Sequence, residues 1–328
     1  MAAPHCPACG EPVGAEHRFC ENCGVNLFLR RTPEGGAPGP VSPDCASCGG
    51  AVDGDGFCEV CGRARAAGRD RMEFDLGLVA GVSDRGRARE RNEDSMAFAT
   101  VGPRAAPHAV VAIVCDGVGS TRRSDEASQA AVDAALERMA DCLHAGKDAH
   151  ESTVDGVAAA VEAVSPLADP GSPRLAPSCT FVSAIATAGE VTVGWIGDSR
   201  AYWLAGERSR QVTVDDTLYA RLRADGWSED DASKNPQARA LARWLGADAD
   251  RDPPNVVAFT PDGPGHVVVC SDGLWNYVPA AEAMAALVPE NQPLTVAAGL
   301  TSFALDAGGG DNVTVVVLPY PFAEPGSA

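Results

Sequence analysis

The 328-residue sequence predicts an α+β domain, with antiparallel sheets covered by helices, preceded by two small cysteine-rich modules. Three observations lead to this prediction. Apolar runs at 180–186, 190–196 and 201–204 follow one another closely, and turns join them, which is typical of antiparallel strands. Small apolar residues recur at helical spacing in paired segments, first after Ser124 and again around Val154. Eight of the twelve cysteines form four Cys-x-x-Cys pairs near the start of the chain.

The composition excludes several classes of protein. A formal charge of −19 argues against a surface that coats nucleic acid, because such a surface needs a basic footprint. The first residues lack the basic and apolar segments of a secretory signal. The apolar runs are of strand length, so none is long enough to cross a membrane. We therefore expect a cytoplasmic protein, in which clustered cysteines indicate metal binding before disulfides.

The cysteine pairs predict two zinc ribbons, at residues 1–29 and 44–63. Each Cys-x-x-Cys turn is followed by glycine, and nine or ten residues separate the two pairs of each module. Two such turns facing each other place four sulfurs around one tetrahedral Zn²⁺. Redox-active thiols are the alternative. Because four cysteines complete the coordination of zinc, we expect a structural or docking role rather than catalysis. The expected ligands are Cys6, Cys9, Cys20, Cys23, Cys45, Cys48, Cys58 and Cys61.

Composition changes predict the boundaries of the remaining segments. Proline and glycine dominate residues 30–43, which we expect to link the two ribbons. Residues 64–73 carry several arginines and are expected to form a basic linker. The large domain is predicted at 74–320, with a short tail at 321–328.

Within the large domain, a strand is expected at 76–83, before an arginine-rich loop. Ser124 is expected to cap a long helix, because serine accepts hydrogen bonds from the first turn and two acidic residues follow it. A Pro-rich loop at 165–177 precedes the strands named above. The expected later elements are helices at 215–226 and 237–245, a strand at 267–270, helices near 280–287 and 293–305, and a strand at 313–318.

Acidic residues recur at the ends of predicted strands. One apolar run ends in Asp116-Gly117, another ends in Asp272-Gly273, and Asp311 stands directly before the last strand. Asp-Gly is also a common turn sequence, so a single occurrence says little. Their repetition, together with Glu93-Asp94, indicates a hard-cation site built from oxygen ligands. The four arginines at alternate positions just before Glu93-Asp94 suggest phosphate held beside that metal, although a solvated charged loop is the alternative.

Six motifs in order resemble the metal-dependent, type-2C protein phosphatases (the PPM family) in their bacterial form, over residues 74–320. They are Arg89 with Asn92-Glu93-Asp94-Ser95, Val114 to Gly119, Gly197 to Tyr202, Leu241 to Gly246, Cys270 to Trp275, and Gly310 to Thr314. The resemblance implies two antiparallel sheets sandwiched between helical layers (α-β-β-α). It also implies hydrolysis of phosphoserine and phosphothreonine in proteins, by a water activated between two metal ions.

The resemblance further implies the roles of individual residues. Asp116 would bridge two Mn²⁺ or Mg²⁺ ions, and the Gly117 carbonyl would bind one of them. Asp272 and Asp311 would bind the other ion, with Glu93 or Asp94 contacting it directly or through water. Arg89 would hold the phosphate. The expected cofactors are therefore two Mn²⁺ or Mg²⁺ ions and two structural Zn²⁺ ions.

Three departures from the family pattern concern the rate rather than the metal ligands: Val118, Ser120 and Asp216. The implied partners are phosphorylated proteins, either a bacterial Ser/Thr kinase or its substrates, with the ribbons used for docking or regulation. The alternative is a catalytically weak scaffold that binds phosphoproteins. A third hypothesis, a nucleic-acid regulator acting through the ribbons, is disfavoured by their few basic residues.

Overall fold

The computed structural model describes residues 5–6, 9–14, 17–36, 44–45, 48–62, 68–104, 106–119, 121–169, 176–288 and 292–322. Its strands are β1 (Leu29–Arg31), β2 (Arg71–Asp75), β3 (Ala80–Asp84), β4 (Ser95–Val101), β5 (Ala109–Cys115), β6 (Ser178–Cys179), β7 (Phe181–Thr187), β8 (Val191–Ile196), β9 (Arg200–Leu204), β10 (Arg210–Gln211), β11 (Leu245–Gly246), β12 (Asn255–Phe259), β13 (Gly265–Cys270) and β14 (Val313–Tyr320). Its α-helices are α1 (Ser124–His144), α2 (Ala149–Val164), α3 (Leu218–Ala224), α4 (Glu229–Ser233), α5 (Asp272–Trp275), α6 (Ala281–Ala286) and α7 (Pro293–Asp306).

Two antiparallel sheets of six strands face each other between layers of helices, which confirms the predicted α-β-β-α architecture. The first sheet has the order β1-β4-β5-β7-β8-β12, and the second has the order β10-β9-β13-β14-β3-β2. Helices α1 and α2 pack on the outer face of the first sheet, and α5, α6 and α7 pack on the outer face of the second. A short ladder of β6 and β11 lies apart from both sheets.

Strand β5 explains why the sequence reads as continuous apolar runs rather than as alternating patterns. Val110 and Val114 point into the core between the sheets, whereas Val111 and Ile113 point toward α1 and α2. Successive side chains of a strand point to opposite faces. Because both faces of this strand are covered, every residue of β5 is buried.

The predicted linker at 30–43 is wrong in its first residues. Leu29–Arg31 form an edge strand that pairs antiparallel with β4, and Thr32 beyond it is only 2% exposed. The open edge of β4 offers unpaired backbone groups, which any short extended segment can satisfy. Composition does not reveal such pairing. Residues 37–43 of the predicted linker lie outside the described part of the chain.

The start of the large domain also differs from the prediction. Of the expected strand at 76–83, residues 80–83 belong to β3, whereas residues 76–79 form the turn between β2 and β3, in which the Leu76 N–H donates to the Val79 carbonyl. Strand β2 therefore begins at Arg71, inside the predicted basic linker. Arg71 pairs with Glu73 and Asp84 rather than facing solvent alone. Residues 63–67 of that linker fall outside the described ranges.

Two predictions about helices are corrected. Residues 237–245 do not form a helix but successive turns ending in β11, with Ala238 N–H donating to Asn235 and Ala240 N–H to Gln237. Ser124 begins α1 as predicted but does not cap it. Arg123 occupies the cap position with φ of 59°, and the Ser124 hydroxyl donates to Glu93 instead. Among the helices of the described ranges, none combines the length and apolar composition needed to cross a membrane.

Candidate active site

Asp116 lies where β5 leaves the core, as its position after an apolar run predicts. Its backbone is held on both sides by Thr180, whose N–H donates to the Asp116 carbonyl and whose hydroxyl accepts from the Asp116 N–H. Burial raises the pKa of the Asp116 carboxyl well above 3.8, and the negative charges of Asp94 and Asp272 raise it further. A carboxylate that is desolvated in this way requires a compensating positive charge.

Asp272 and Asp311 come together because β13 and β14 are neighbours. Asp272 begins α5 directly after β13, and Asp311 stands just before β14. Desolvation and the charge of Asp311 raise the pKa of Asp272 to about 6, and its carboxylate accepts from the Asn276 amide at 3.1 Å. Gly273 permits this approach, since a Cβ there would lie 1.9 Å from the Asn312 carbonyl oxygen.

Asn312 fastens the arginine-rich loop beside these residues. Its side-chain amide donates to the carbonyls of Arg85 and Arg91 at 2.7 and 2.9 Å. Its side-chain oxygen accepts from the Glu93 N–H at 2.8 Å. Gly86 completes the contact, because its φ of +76° and its closeness to the Asp311 carbonyl leave no room for a side chain. Polar contacts that the sequence motifs do not indicate thus hold the loop against Asp311.

The two acidic residues of the loop take different positions. Asp94 is fully buried and accepts from the Ser271 hydroxyl at 2.7 Å. Its Oδ1 atom is also buried, without a hydrogen-bond partner among the residues that the structure describes. Burial raises the pKa of Asp94 to about 7. Glu93 is half-buried, and its carboxylate accepts from the Ser124 hydroxyl at 2.8 Å.

Arg89 lies at the open side of the acidic cluster. Its guanidinium forms an ion pair with Asp311, with an N–O distance of 2.6 Å, and its side chain is 44% exposed. Gly119 faces the same place, since a Cβ on that residue would be 3.4 Å from both Arg89 and Glu93. A guanidinium that is both exposed and beside buried acids can receive an incoming phosphate.

A cleft of about 430 Å³ opens next to Asp272. Asp198 also lines this cleft, and desolvation together with the charge of Asp272 raises its pKa to about 7. Although Asp198 lies in the turn between β8 and β9, its carboxyl group is close enough to the acidic cluster to feel the charge of Asp272. Arg200 forms another wall of the cleft, where it stacks on Trp275 and binds Asp215 through two nitrogens.

The donor set of the cluster fits hard divalent cations. Carboxyl groups from chain-distant segments converge, and burial together with neighbouring negative charges raises the pKa of three of them, Asp94, Asp116 and Asp272. The unpartnered Oδ1 of Asp94 is a further oxygen without compensation. Oxygen-rich, negatively charged surroundings of this kind suit Mn²⁺ or Mg²⁺. The acids that the sequence predicts as metal ligands are neighbours: the charges of Asp94, Asp272 and Asp311 act on Asp116, and Arg89 lies beside Asp311 and near Glu93.

The N-terminal cysteines form two clusters of four, as their spacing predicts. Within each cluster the sulfur atoms lie within 4.8 Å of one another, and the closest pairs are 3.4 to 3.6 Å apart. A tetrahedron with Zn–S bonds of about 2.3 Å has edges of roughly 3.8 Å. The clusters therefore fit zinc.

The departures from the family pattern have different structural settings. Val118 is held through its N–H, which donates to the Ser178 carbonyl. Asp216 accepts from the Gly197 N–H at 3.1 Å and from the Asn255 amide, so it supports the turn that carries Asp198. Ser120 lies outside the described residues.

Comparisons with known proteins identify relatives of the whole large domain. A sequence-family model described as protein phosphatase 2C matches residues 85–299. The serine/threonine phosphatase stp of Listeria innocua is 30% identical over 243 residues, which cover 72% of this chain and 93% of the relative.

Solved structures show the same relationship. The serine/threonine phosphatase PstP/Ppp of Mycobacterium tuberculosis has a TM-score of 0.59 and 28% identity, covering 73% of this chain and 96% of that chain. The catalytic domain of PstP, solved in complex with two manganese ions, has a TM-score of 0.58 and 26% identity. That match covers 74% of this chain and 97% of the other.

Proposed function

The chain belongs to the protein phosphatase 2C family and is a serine/threonine phosphatase of that type, and we propose that the acidic cluster is its metal centre. The observation that carries the proposal is the convergence of the desolvated carboxyl groups of Asp94, Asp116 and Asp272, whose pKa values are raised, beside an exposed arginine. The proposed ligands of two Mn²⁺ or Mg²⁺ ions are Glu93, Asp94, Asp116, Asp272, Asp311 and the carbonyl oxygen of Gly117.

The bound ions would supply an acidified water and neutralise charge on the phosphoryl oxygens. The residues of the chain then have separate tasks. Asp116 and Asp272, each within reach of the other's charge, hold the centre of the site. Ser271 and Ser124 orient Asp94 and Glu93 through their hydroxyl groups.

Arg89 binds the phosphate of the substrate. A guanidinium at the mouth of the cluster places two or more N–H donors toward solvent, where a phosphate can approach. Its ion pair with Asp311 keeps the side chain directed at the cluster. The cleft of about 430 Å³ beside Asp272 receives the polypeptide on either side of the phosphorylated residue.

The substrates that fit this site are phosphorylated Ser/Thr proteins, either a bacterial Ser/Thr kinase or the proteins that it phosphorylates. The two cysteine clusters bind one structural Zn²⁺ each and serve docking or regulation rather than catalysis. Four sulfurs complete the coordination of each zinc, which leaves no position for a reacting group.

The test is hydrolysis of a phosphothreonine peptide with saturating Mn²⁺ by the full chain, its Arg89→Met variant and its Arg87→Met variant. Arg87 is the matched control, because it lies two residues earlier in the same loop and its guanidinium pairs with the exposed Asp306. A charge-assisted hydrogen bond contributes about 1.5–3 kcal/mol, so Arg89→Met should raise KM roughly 10- to 100-fold.

Arg87→Met should leave KM within about twofold of the wild-type value, as expected for an exposed ion pair. Absence of Mn²⁺-dependent turnover in the wild-type protein would contradict the proposed reaction. An equal KM in the two variants would contradict only the role of Arg89.

A further inference from the structure

Arg69 connects the segment that follows the second cysteine cluster to the loop that carries Glu93 and Asp94. It lies in a 3-10 helix of one turn, Gly68–Asp70, directly before β2. One terminal nitrogen of its guanidinium donates to the Asp94 carbonyl at 3.1 Å and to the Ser95 hydroxyl at 2.9 Å. The other terminal nitrogen donates to the side-chain oxygen of Gln129 on α1.

The contact is reciprocal, so the turn and the loop hold each other. The Asn92 side-chain amide donates to the Arg69 carbonyl at 2.9 Å. The Arg85 N–H donates to the Asp70 carbonyl at 2.8 Å, and their side chains form an ion pair. The 3-10 turn is therefore attached to both ends of the arginine-rich loop.

The hydroxyl that Arg69 contacts belongs to a buried polar chain behind the acidic residues. Ser95 shares a hydrogen bond with Ser128 at 2.8 Å, and the Ser128 hydroxyl lies 2.6 Å from the Glu93 carbonyl. The backbone of Glu93 and Asp94 is thus held from behind, on the side away from the cluster. A displacement of this backbone would move both carboxyl groups.

The outer end of the contact reaches the N-terminal segment. Gln129 donates to Asp133 at 2.9 Å, and Asp133 also accepts from the Gly35 N–H and pairs with Arg31 of β1. The segments that follow both cysteine clusters therefore meet on the same face of α1, and Arg69 carries this contact inward to Asp94.

We propose that Arg69 is a positioning residue for the metal centre, which holds the Glu93-Asp94 backbone from outside the six motifs. The inference rests on the proposed function, because it treats these acids as metal ligands. Groups that orient metal ligands typically change metal affinity about 10- to 100-fold when they are removed. The effect of losing Arg69 should therefore appear in Mn²⁺ affinity before it appears in turnover at saturating metal.

The experiment measures the Mn²⁺ dissociation constant by calorimetry on the full, zinc-loaded chain, alongside turnover of para-nitrophenyl phosphate against Mn²⁺ concentration. The variants are Arg69→Met, Arg69→Lys and the control Arg208→Met. Arg208 also donates to a backbone carbonyl, that of Asp262, at 2.6 Å. It follows the C-terminal end of β9, whereas Arg200, which lines the cleft, begins that strand.

Arg69→Met should weaken Mn²⁺ binding by about tenfold or more and retain most of kcat at saturating Mn²⁺. The Mn²⁺ affinity of Arg69→Lys should lie between those of Arg69→Met and the wild type, since a single ammonium group can donate to the Asp94 carbonyl but cannot also reach Gln129. Arg208→Met should bind Mn²⁺ as the wild type does. A lower melting temperature without weaker Mn²⁺ binding in Arg69→Met would reduce Arg69 to a structural role and overturn the proposal.

If Arg69→Met does not fold, Arg69→Lys and Gln129→Leu decide the matter, and unchanged Mn²⁺ affinity in both overturns the proposal. Failure of the proposed function is distinguishable, because it appears as a wild-type protein without Mn²⁺-dependent turnover. A wild-type protein that binds no Mn²⁺ would overturn both.

Discussion

Asp272→Asn should have opposite effects on the stability and the activity of the protein. Desolvation and the charge of Asp311 raise the pKa of Asp272 from 3.8 to about 6 in the folded chain. For an acid whose pKa is raised by folding, the penalty is absent below the unfolded pKa and complete above the folded one. At pH 7 the ionised carboxylate of Asp272 therefore destabilises the Mn²⁺-free protein.

A shift of about two pKa units corresponds to about 3 kcal/mol. Asparagine removes the charge but keeps an oxygen that can accept from the Asn276 amide, which donates to Asp272 at 3.1 Å. In Mn²⁺-free buffer the free energy of unfolding of the variant should therefore exceed that of the wild type by up to about 3 kcal/mol. For a domain of this size that is an increase in melting temperature of at most about 6–12 °C.

Mn²⁺ should reverse the order of stability. Two ions at one hundred times their dissociation constants stabilise the wild type by about 5 kcal/mol, whereas the variant has lost a ligand that neutralises them. Turnover of the variant should be abolished. The assay is thermal unfolding at pH 7 with and without Mn²⁺, without a strong chelator, because EDTA would also remove zinc from the cysteine clusters.

Asp306→Asn is the matched control, since the Asp306 side chain is 79% exposed and the same change there should alter the free energy of unfolding by less than about 0.5 kcal/mol. If Asp272→Asn melts at a lower temperature than the wild type in Mn²⁺-free buffer, desolvation and the charge of Asp311 do not destabilise the Asp272 carboxylate. Near-normal Mn²⁺-dependent turnover would refute its assignment as a metal ligand.

Three further predictions concern the loop, the ribbons and pH. Gly86→Ala should weaken Mn²⁺ binding and destabilise the fold by more than about 2 kcal/mol, because its Cβ would lie 2.0 Å from the Asp311 carbonyl oxygen. Gly77→Ala is the control, since Gly77 has φ of +83° but open space around it. In urea unfolding this control should show only the backbone strain of about 1–2 kcal/mol. Cys9→Ser should lower the zinc content from two ions to one while para-nitrophenyl phosphate turnover continues, and a collapse of turnover would make the first ribbon part of the catalytic structure. The half-saturating Mn²⁺ concentration should rise by about fivefold from pH 7 to pH 6, since Mn²⁺ must displace a proton from Asp94, whose pKa is about 7; a flat profile would exclude that carboxyl from the site.

Strand-end acids were the most informative feature of the sequence. Asp116 and Asp272 follow apolar runs long enough to be recognised as strands, and Asp311 precedes one, so their placement at one edge of the sandwich could be expected. The antiparallel pairing of β13 with β14 then brings Asp272 and Asp311 together. The helix predicted at 237–245 was wrong, because the hydrogen bonds of its tight turns leave no signature in apolar spacing.

Polar residues that support the acids were not assigned from the sequence. Ser271 and Asn312 each stand next to a motif aspartate, and this adjacency was the only signal that they differ from ordinary polar residues. Arg69 had no such signal, because it lies in a segment that reads as a basic linker. Its contacts with Asp94 and Gln129 exist only after α1 and the loop are packed together.

The sequence by itself determined the two cysteine clusters, antiparallel sheets covered by helices and acids at strand ends, because each depends on local spacing; the two-sheet sandwich was implied by the resemblance to type-2C phosphatases. Tertiary structure alone decided which acid is fully buried, that Arg89 pairs with Asp311, and that Leu29–Arg31 extend the first sheet. The contact between Glu93 and Asn312 spans 219 residues. One partner in this contact is a backbone N–H, which every residue carries, so the order of side chains along the chain gives no sign of it.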